Sequence, residues 1–186
     1  MDKTRSKEWV KLYSNLLFRY AVTRVNDRET ARDMVQETFL AALRNLDNFR
    51  GEISEKNWLF MILKNKIIDH YRKKASGLIT QIDEMMEEID GYFGEDKHWD
   101  DDNKPRNWGV DYNSSVETDE FYEILNKCMS KLSELMRIVF TMKYLEEMES
   151  NEICKELSIT SSNYWVILHR AKLQLRVCLE KKWFVK

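Results

Sequence analysis

The chain contains few of the residues that turn a backbone: five glycines and one proline among 186 residues. Sandwiches and barrels need frequent turns between short strands, so this scarcity argues against them and favours helices. Apolar residues recur with helical spacing in seven segments. These are residues 8–24, 28–46, 57–74, 119–130, 132–145, 149–157 and 161–180. The sequence therefore predicts an all-α protein.

Two of the predicted helices have identifiable ends or buried sides. Asp27 directly precedes residues 28–46, where its carboxylate would cap the first free backbone amides. The expected buried stripe of that helix is Ala31, Val35, Phe39, Ala42 and Leu46. For residues 8–24 the expected stripe is Trp9, Leu12, Leu16, Tyr20 and Val22. Residues 47–56, which include Gly51, are predicted to form a loop.

Charge divides the chain into three blocks although its net charge is only −2. Residues 1–77 carry 16 basic and 10 acidic side chains, residues 78–118 carry 3 and 12, and residues 119–186 carry 11 and 10. We interpret the blocks as two small helical domains joined by an acidic linker. The basic first block is compatible with a polyanionic partner, although ordinary surface charge would look the same. The linker also contains Tyr92, Phe93, Trp99 and Trp108, which a purely solvated acidic segment would usually lack. We therefore expect some of these rings to dock on another surface.

No pattern typical of an enzyme or a metal site is present. The sequence has no glycine-rich phosphate loop, no His-Glu-x-x-His and no Cys-x-x-Cys, so neither catalysis nor a cofactor is expected. Cys128, Cys154 and Cys178 form an odd, widely spaced set, which fits a reducing cytoplasm better than a disulfide framework. We expect Cys154 and Cys178 to be buried thiols. Neither a signal peptide nor a membrane-spanning segment is predicted.

The helix at 57–74 begins apolar and ends basic. Its polar side chains are Lys64, Asn65, Lys66, Asp69, His70, Arg72, Lys73 and Lys74. Cations there would neutralise phosphates, and Asn65 offers a paired donor and acceptor to a base. A basic C-terminal end that only complements the helix dipole is equally compatible with this pattern.

The last two predicted helices, joined by a three-residue turn, have the lengths of a helix-turn-helix. In residues 161–180, a stripe through Tyr164, Ile167, Leu168, Ala171, Leu175 and Cys178 is expected to be buried. The opposite half holds Ser162, Trp165, Val166, His169, Leu173 and Arg176. Trp165 therefore lies outside the predicted core, at the end of the helix that enters the major groove in such motifs.

Several sequence motifs resemble those of bacterial RNA polymerase sigma factors of the extracytoplasmic-function (ECF) type. DMVQETFLAAL at 33–43, LDNFRGE at 46–52 and NWLFMILKNKIIDHYRKK at 57–74 are similar to region two. Residues 132–180, including LSELMRIVFTMKYLEEMESNEICKELSIT and SSNYWVILHRAKLQLR, resemble region four. The resemblance implies a region-two domain at 1–77, a linker at 78–118 and a region-four domain at 119–186. The alternative is a stand-alone helix-turn-helix regulator that acts without polymerase.

The resemblance also implies roles for particular residues. Asp33, Gln36, Glu37 and Leu40 match the face that docks on core RNA polymerase. The loop at 49–56, with Phe49 and Arg50, matches the segment that captures a flipped base of the minus-ten element, and the basic helix matches the one that meets that element. The linker matches the segment that threads through the polymerase. Such factors act on promoter DNA in the cytoplasm and are commonly held by an anti-sigma factor.

The helix that corresponds to the reader of the minus-thirty-five element departs from the family pattern. The residues implied in DNA binding are Ser161, Ser162, Asn163, Trp165, His169 and Arg170. His169 and Arg170 keep the family's His-Arg pair, but Trp165 and Ile167 stand where Lys or Arg is common. Trp165 would contact thymine methyl groups or sugars rather than guanine, or would pack against a partner and never meet DNA.

Overall fold

A computed structural model describes the backbone of residues 3–78 and 115–184. The chain divides into two compact units, Met1–Lys73 and Lys74–Lys186. Every regular element in the described parts is helical, which confirms the predicted all-α class. The acidic linker and the docking expected of its aromatic rings lie almost entirely outside the described residues.

The first unit is built on three helices, the third of which continues beyond the end of the unit at Lys73. They are α1 (Lys3–Val25), α2 (Arg28–Arg44) and α3 (Glu55–Leu78), with a short 3-10 turn at Leu46–Asn48 between the last two. The predicted cap of α2 is confirmed, because the amide of Thr30 donates to Asp27 Oδ2 at 2.7 Å. All five residues of the predicted stripe are buried, although α2 ends at Arg44 and Leu46 lies in the 3-10 turn that follows it.

The core of the first unit lies where α1 packs on α2 and where α3 contacts α1 at both ends. Leu59, Leu63, Ile67, Tyr71 and Ala75 form the buried stripe of α3, spaced four residues apart. At one end Trp9 Nε1 donates to Glu55 Oε2 at 3.0 Å, and at the other the Tyr71 hydroxyl donates to the Arg24 carbonyl at 2.9 Å. These bonds fix α3, which carries the basic side chains, against α1.

Of the predicted buried stripe of α1, only Trp9 is buried, and Tyr20 and Val22 are half-buried. Leu12 and Leu16 are exposed, whereas Leu17 and Ala21 are fully buried. Both stripes have helical spacing, and only the position of α2 decides which one is covered. The helix itself begins earlier than predicted.

The second unit contains four described helices. They are α4 (Ser115–Met129), α5 (Glu134–Tyr144), α6 (Ser150–Leu157) and α7 (Ser161–Leu179), followed by a π-helical turn at Glu180–Phe184. Helix α7 is the centre of the unit because α4, α5 and α6 all pack against it. Tyr164, Ile167, Leu168, Ala171 and Leu175 of the predicted stripe are buried, as expected.

The expectation of free thiols is wrong for two of the three cysteines. Cys128 of α4 and Cys178 of α7 form a disulfide, with their Cα atoms 5.8 Å apart. They are 50 residues apart in sequence, and the fold of the unit brings them together. Cys154 is a free, half-buried thiol.

The hydropathy of the helices bears on membrane insertion. Among the helices of the described residues, none combines the length and the apolar character that crossing a membrane requires.

Candidate functional site

One side of α2 is exposed and carries the four residues expected to meet a protein partner. Asp33, Gln36, Glu37 and Leu40 follow i, i+3, i+4, i+7 spacing and all are exposed, with Leu40 at 53%. The opposite side of α2 is core, so this face projects from a rigid support. Its N-terminal half is polar and acidic, while its C-terminal half is apolar.

An ion pair links this face of α2 to α3. Lys66 Nζ lies 2.9 Å from Glu37 Oε2, although the two residues are 29 positions apart. The hydrogen bond and charge of Lys66 hold the pKa of the Glu37 carboxyl below its ordinary value, with a further contribution from Lys73. Two side chains predicted for different partners, one for polymerase and one for DNA, are thus neighbours.

The loop between α2 and α3 carries an aromatic pair. The Phe49 ring is half-buried, with its centroid 4.6 Å from that of Trp58. Trp58 in turn meets the buried Trp9 edge-on at 5.9 Å. Gly51 adopts a left-handed backbone conformation with φ of 76°, which a residue with a Cβ rarely adopts. Arg50, directly before it, is exposed.

The basic end of α3 has an exposed side and a half-buried side. Asn65, Asp69, Arg72, Lys73 and Lys74 are exposed, whereas Lys64, Lys66 and His70 are half-buried. Arg72 Nη1 pairs with Asp69 Oδ1 at 2.9 Å. Both ends of this pair are more than half exposed, so it contributes little to stability and opens readily to a competing phosphate.

Two local features of the turn between α6 and α7 set the direction in which α7 starts. Ser158 ends α6 in a left-handed conformation with φ of 55°. Thr160 then caps α7, because its side chain accepts a hydrogen bond from the Asn163 amide at 3.2 Å. The buried Tyr164 hydroxyl accepts a hydrogen bond from Ser150 Oγ at 3.3 Å, which ties the start of α7 to the start of α6.

The outer side of α7 presents most of the residues expected there. Ser161, Ser162, Trp165 and His169 are exposed, and Asn163 and Val166 are half-buried. Trp165 is 55% exposed although its ring leans edge-on against Tyr164, with centroids 5.0 Å apart. The Trp165 ring therefore adds exposed apolar area to an otherwise polar stretch of the helix surface.

Two residues of α7 are not where the sequence placed them. Arg170 is 3% exposed, so its side chain lies inside the unit and is not presented to a nucleic acid. Leu173 was assigned to the outer half of the helix but is buried. The reason is that α7 is covered on more than one side, by α4 as well as by α5 and α6.

Two further residues extend these surfaces beyond the predicted set. Leu43 is exposed and continues the apolar half of the α2 face by three residues beyond Leu40. Lys172 is exposed three residues beyond His169, and its Nζ lies 5.3 Å from the centroid of the Tyr144 ring. Helical spacing from Leu40 and from Trp165 would have identified both.

Metal ligands are not grouped within residues 3–78 and 115–184: no three His, Cys, Asp or Glu side chains there could share an ion. The described surfaces differ in chemical character. One apolar and acidic face suits a protein, and two polar or aromatic faces suit a nucleic acid.

Comparison with known proteins identifies two family segments. Residues 9–77 match the family model described as Sigma-70 region 2, and residues 122–175 match that of Sigma-70, region 4. A protein of Haemophilus influenzae named "Probable RNA polymerase sigma factor" is 39% identical over 166 residues, which cover 88% of this chain and 84% of that protein. The ECF RNA polymerase sigma factor SigM of Bacillus subtilis is 25% identical over 91% of each chain. The solved sigma factor RpoE from Bartonella quintana, in complex with the anti-sigma factor NepR, aligns at 20% identity with a TM-score of 0.42.

Proposed function

This chain belongs to the bacterial RNA polymerase sigma factors of the ECF type, and from that membership we propose which of its surfaces binds the polymerase and which bind promoter DNA. As a sigma factor it binds core RNA polymerase and directs initiation at particular promoters, and it catalyses no reaction of its own. The stand-alone helix-turn-helix regulator is not favoured, because the region 2 match lies outside the helix-turn-helix.

The exposed face of α2 is the proposed docking surface for core polymerase. Leu40 and Leu43 supply exposed apolar area, and Asp33 and Glu37 supply negative charge beside it. A central apolar contact with a charged rim is the usual anatomy of a protein interface. The complementary partner is a basic helical surface of the polymerase.

The loop at 49–56 and the basic end of α3 are the proposed minus-ten interface. Flipping a base out of the duplex costs about a few kcal/mol in lost stacking and pairing. Phe49 and Trp58 offer aromatic area beside the exposed Arg50, and Lys73 and Arg72 offer charge for the phosphates. Stacking and phosphate contacts would together offset that cost.

The exposed side of α7 is the proposed reader of the minus-thirty-five element. Ser162, Trp165 and His169 lie along the first turns, and Trp165 would contact thymine methyl groups in the major groove. Arg170 is left out of this interface because it is buried. Lys172 joins it as a phosphate contact further along the helix.

The setting of this activity is also a proposal. We place the chain in the cytoplasm, where bacterial RNA polymerase transcribes, and expect an anti-sigma factor to hold it when it is not needed. The boundaries 1–77, 78–118 and 119–186 are proposed as the region-two domain, the linker and the region-four domain. The two family matches fall inside the first and the last of these segments.

The exposure of Leu40 among acidic and amide side chains is the observation that best supports the docking surface, and it gives a direct test. The double variant Gln36→Ala, Leu40→Ala should bind purified core polymerase about tenfold more weakly or worse, because two central contacts are truncated. Its circular dichroism and melting temperature should match those of wild type. Leu12→Ala is the control, since Leu12 is equally exposed, at 56%, on α1.

Two results would count against this assignment. Undiminished binding by the double variant would remove the α2 face from the interface. Equal loss with Leu12→Ala would mean that the assay reports a general loss of apolar surface. A wild-type chain that never associated with core polymerase would contradict the function itself.

A further inference from the structure

We propose that Cys128 and Cys178 are a reversible thiol–disulfide site, oxidised by a low-molecular-weight disulfide, which ties α4 to the C-terminal half of α7. The inference rests on the proposed cytoplasmic setting. In a reducing compartment a disulfide of this kind is not a permanent structural link but one that forms and breaks with redox conditions.

The backbone presents the two cysteines for bonding. Their Cα atoms are 5.8 Å apart, within the usual range for a disulfide, and the link closes a sequence separation of 50 residues. Cys128 is 1% exposed, so it is held inside the unit, while Cys178 is half-buried and is therefore the more accessible sulfur. The two cysteines lie on separate helices that pack directly against each other.

The link acts on the element that carries the proposed reader. Besides packing directly against α7, α4 contacts the π-helical turn that follows α7, where Phe121 of α4 meets Trp183 edge-on with ring centroids 5.6 Å apart. Helix α7 then runs without a break from Cys178 back to Trp165. Joining α4 to α7 covalently therefore stabilises the support of the reader without touching its exposed side.

The chemistry balances as a thiol–disulfide exchange. The Cys178 thiolate attacks one sulfur of the small disulfide, which forms a mixed disulfide and releases one small thiolate. The Cys128 thiolate then attacks the Cys178 sulfur and releases the second. The two protein thiols lose two electrons and two protons, and the small disulfide is reduced to two thiols. A reducing dithiol reverses both steps.

Cys154 is the natural control within the chain. It is half-buried like Cys178 but lies on α6 and has no disulfide partner in the described structure. Burial raises the pKa of its thiol, which lowers the fraction of reactive thiolate. Replacing it should leave the exchange at Cys128 and Cys178 unchanged.

The first experiment measures the bond itself on the purified full-length chain. The chain is equilibrated in buffers of reduced and oxidised glutathione, quenched, and analysed by mass spectrometry and peptide mapping. We expect one Cys128–Cys178 bond, reversed by dithiothreitol, and a melting temperature of the second unit that is about 10 °C higher in the oxidised form. Cys154→Ser should behave as wild type, whereas Cys128→Ser and Cys178→Ser should show no such shift.

The second experiment measures the consequence for transcription. The oxidised chain is freed of glutathione before core polymerase is added, and the double variant Cys128→Ser, Cys178→Ser given the same treatment controls for carry-over. Near the melting temperature of the reduced second unit, the oxidised chain should retain at least severalfold more transcription from promoters that need the upstream element.

The outcomes separate this proposal from the proposed function. Three free thiols after equilibration with oxidised glutathione, or a melting shift that disappears in Cys154→Ser, would overturn the disulfide site while leaving sigma activity intact. Equal transcription by oxidised and reduced chains at that temperature would overturn its control of the reader. Loss of transcription in both redox states would instead count against the proposed function.

Discussion

At the scale of single residues, the ion pair between Glu37 and Lys66 is the contact with the most direct consequence. Each partner was assigned to a different surface by its position in the sequence, and the structure joins them. In the structure, a carboxylate of the proposed polymerase surface is thus paired with a cation of the proposed DNA surface. Any partner that competes for Glu37 leaves Lys66 available to phosphate.

This pair predicts a pH dependence of stability. Because the folded-state pKa of Glu37 is lowered, its contribution is fully present above the ordinary carboxyl pKa and is lost as pH falls through the lowered value. Glu37→Gln should destabilise the first unit by less than about 1 kcal/mol at neutral pH, since the pair is exposed.

Urea unfolding of wild type and Glu37→Gln at neutral and at acid pH measures this effect. The difference between them should shrink as Glu37 becomes protonated. Lys66→Gln is the matched control, and the double variant should add little to either single change. A difference that stays constant down to acid pH would mean that the ion pair is not its source.

Trp165 gives a prediction about promoter choice. Trp165→Ala removes the exposed ring of α7, so transcription from promoters that need the upstream element should fall and the ranking of promoters should change, while core binding is kept. Transcription in vitro over a promoter library measures both. Lys172→Ala is the contrasting variant: loss of one phosphate contact should weaken binding to all sequences and reduce the salt dependence by about one charge.

An unchanged ranking for Trp165→Ala would mean that the ring does not read DNA. A change of ranking in Lys172→Ala as large as in Trp165→Ala would also contradict the division between reading and charge neutralisation.

At the scale of elements, the turn between α6 and α7 sets the direction of α7, the proposed reader helix. Three residues make this turn, and Ser158 takes the left-handed conformation that glycine usually supplies at the end of a helix. The length of the turn could be predicted from the sequence. The left-handed conformation of Ser158 could not, because glycine rather than serine is the residue expected at such a position.

Two substitutions at Ser158 are therefore predicted to change the stability of the second unit in opposite directions. Ser158→Gly should stabilise the second unit by about 0.5–1 kcal/mol, because glycine adopts this conformation without a steric penalty. Ser158→Val should destabilise it, since a β-branched side chain is strongly disfavoured at positive φ. Thermal unfolding measures both, and a loss of stability in Ser158→Gly would contradict the backbone conformation.

Burial within elements shows how far the sequence alone could predict the structure. The stripes of α2 and the start of α7 were predicted correctly, because each helix has one clearly apolar side. The stripe of α1 was not, because Leu12 and Leu17 belong to two sides of similar apolar character and only packing selects one. Leu173 and Arg170 were misplaced for a related reason: three helices pack against α7, and more of its surface is buried than the one stripe that the sequence predicted.

At the scale of the whole molecule, each of the two units has its own buried core, which predicts that each unit can be destabilised without the other. Leu63 of α3 and Leu135 of α5 are both fully buried, one in each unit. Leu63→Ala should cost about 2–5 kcal/mol and lower hydrogen-exchange protection only within the first unit. Leu135→Ala is the matched variant and should act only within the second.

Hydrogen exchange followed by mass spectrometry resolves the two responses. Loss of protection across the whole chain in either variant would show a single cooperative structure.

The sequence by itself determined the helices, the cap at Asp27, the helix-turn-helix and the separation of charge into blocks. Each of these depends on neighbours within a few residues, through backbone propensity and helical spacing. Only the tertiary structure decided that Leu17 rather than Leu16 is core, that Arg170 is buried, that Glu37 meets Lys66, and that Cys128 bonds to Cys178. These features depend on contacts between helices that are far apart in the sequence. Local periodicity carries no information about which surfaces of two such helices pack together.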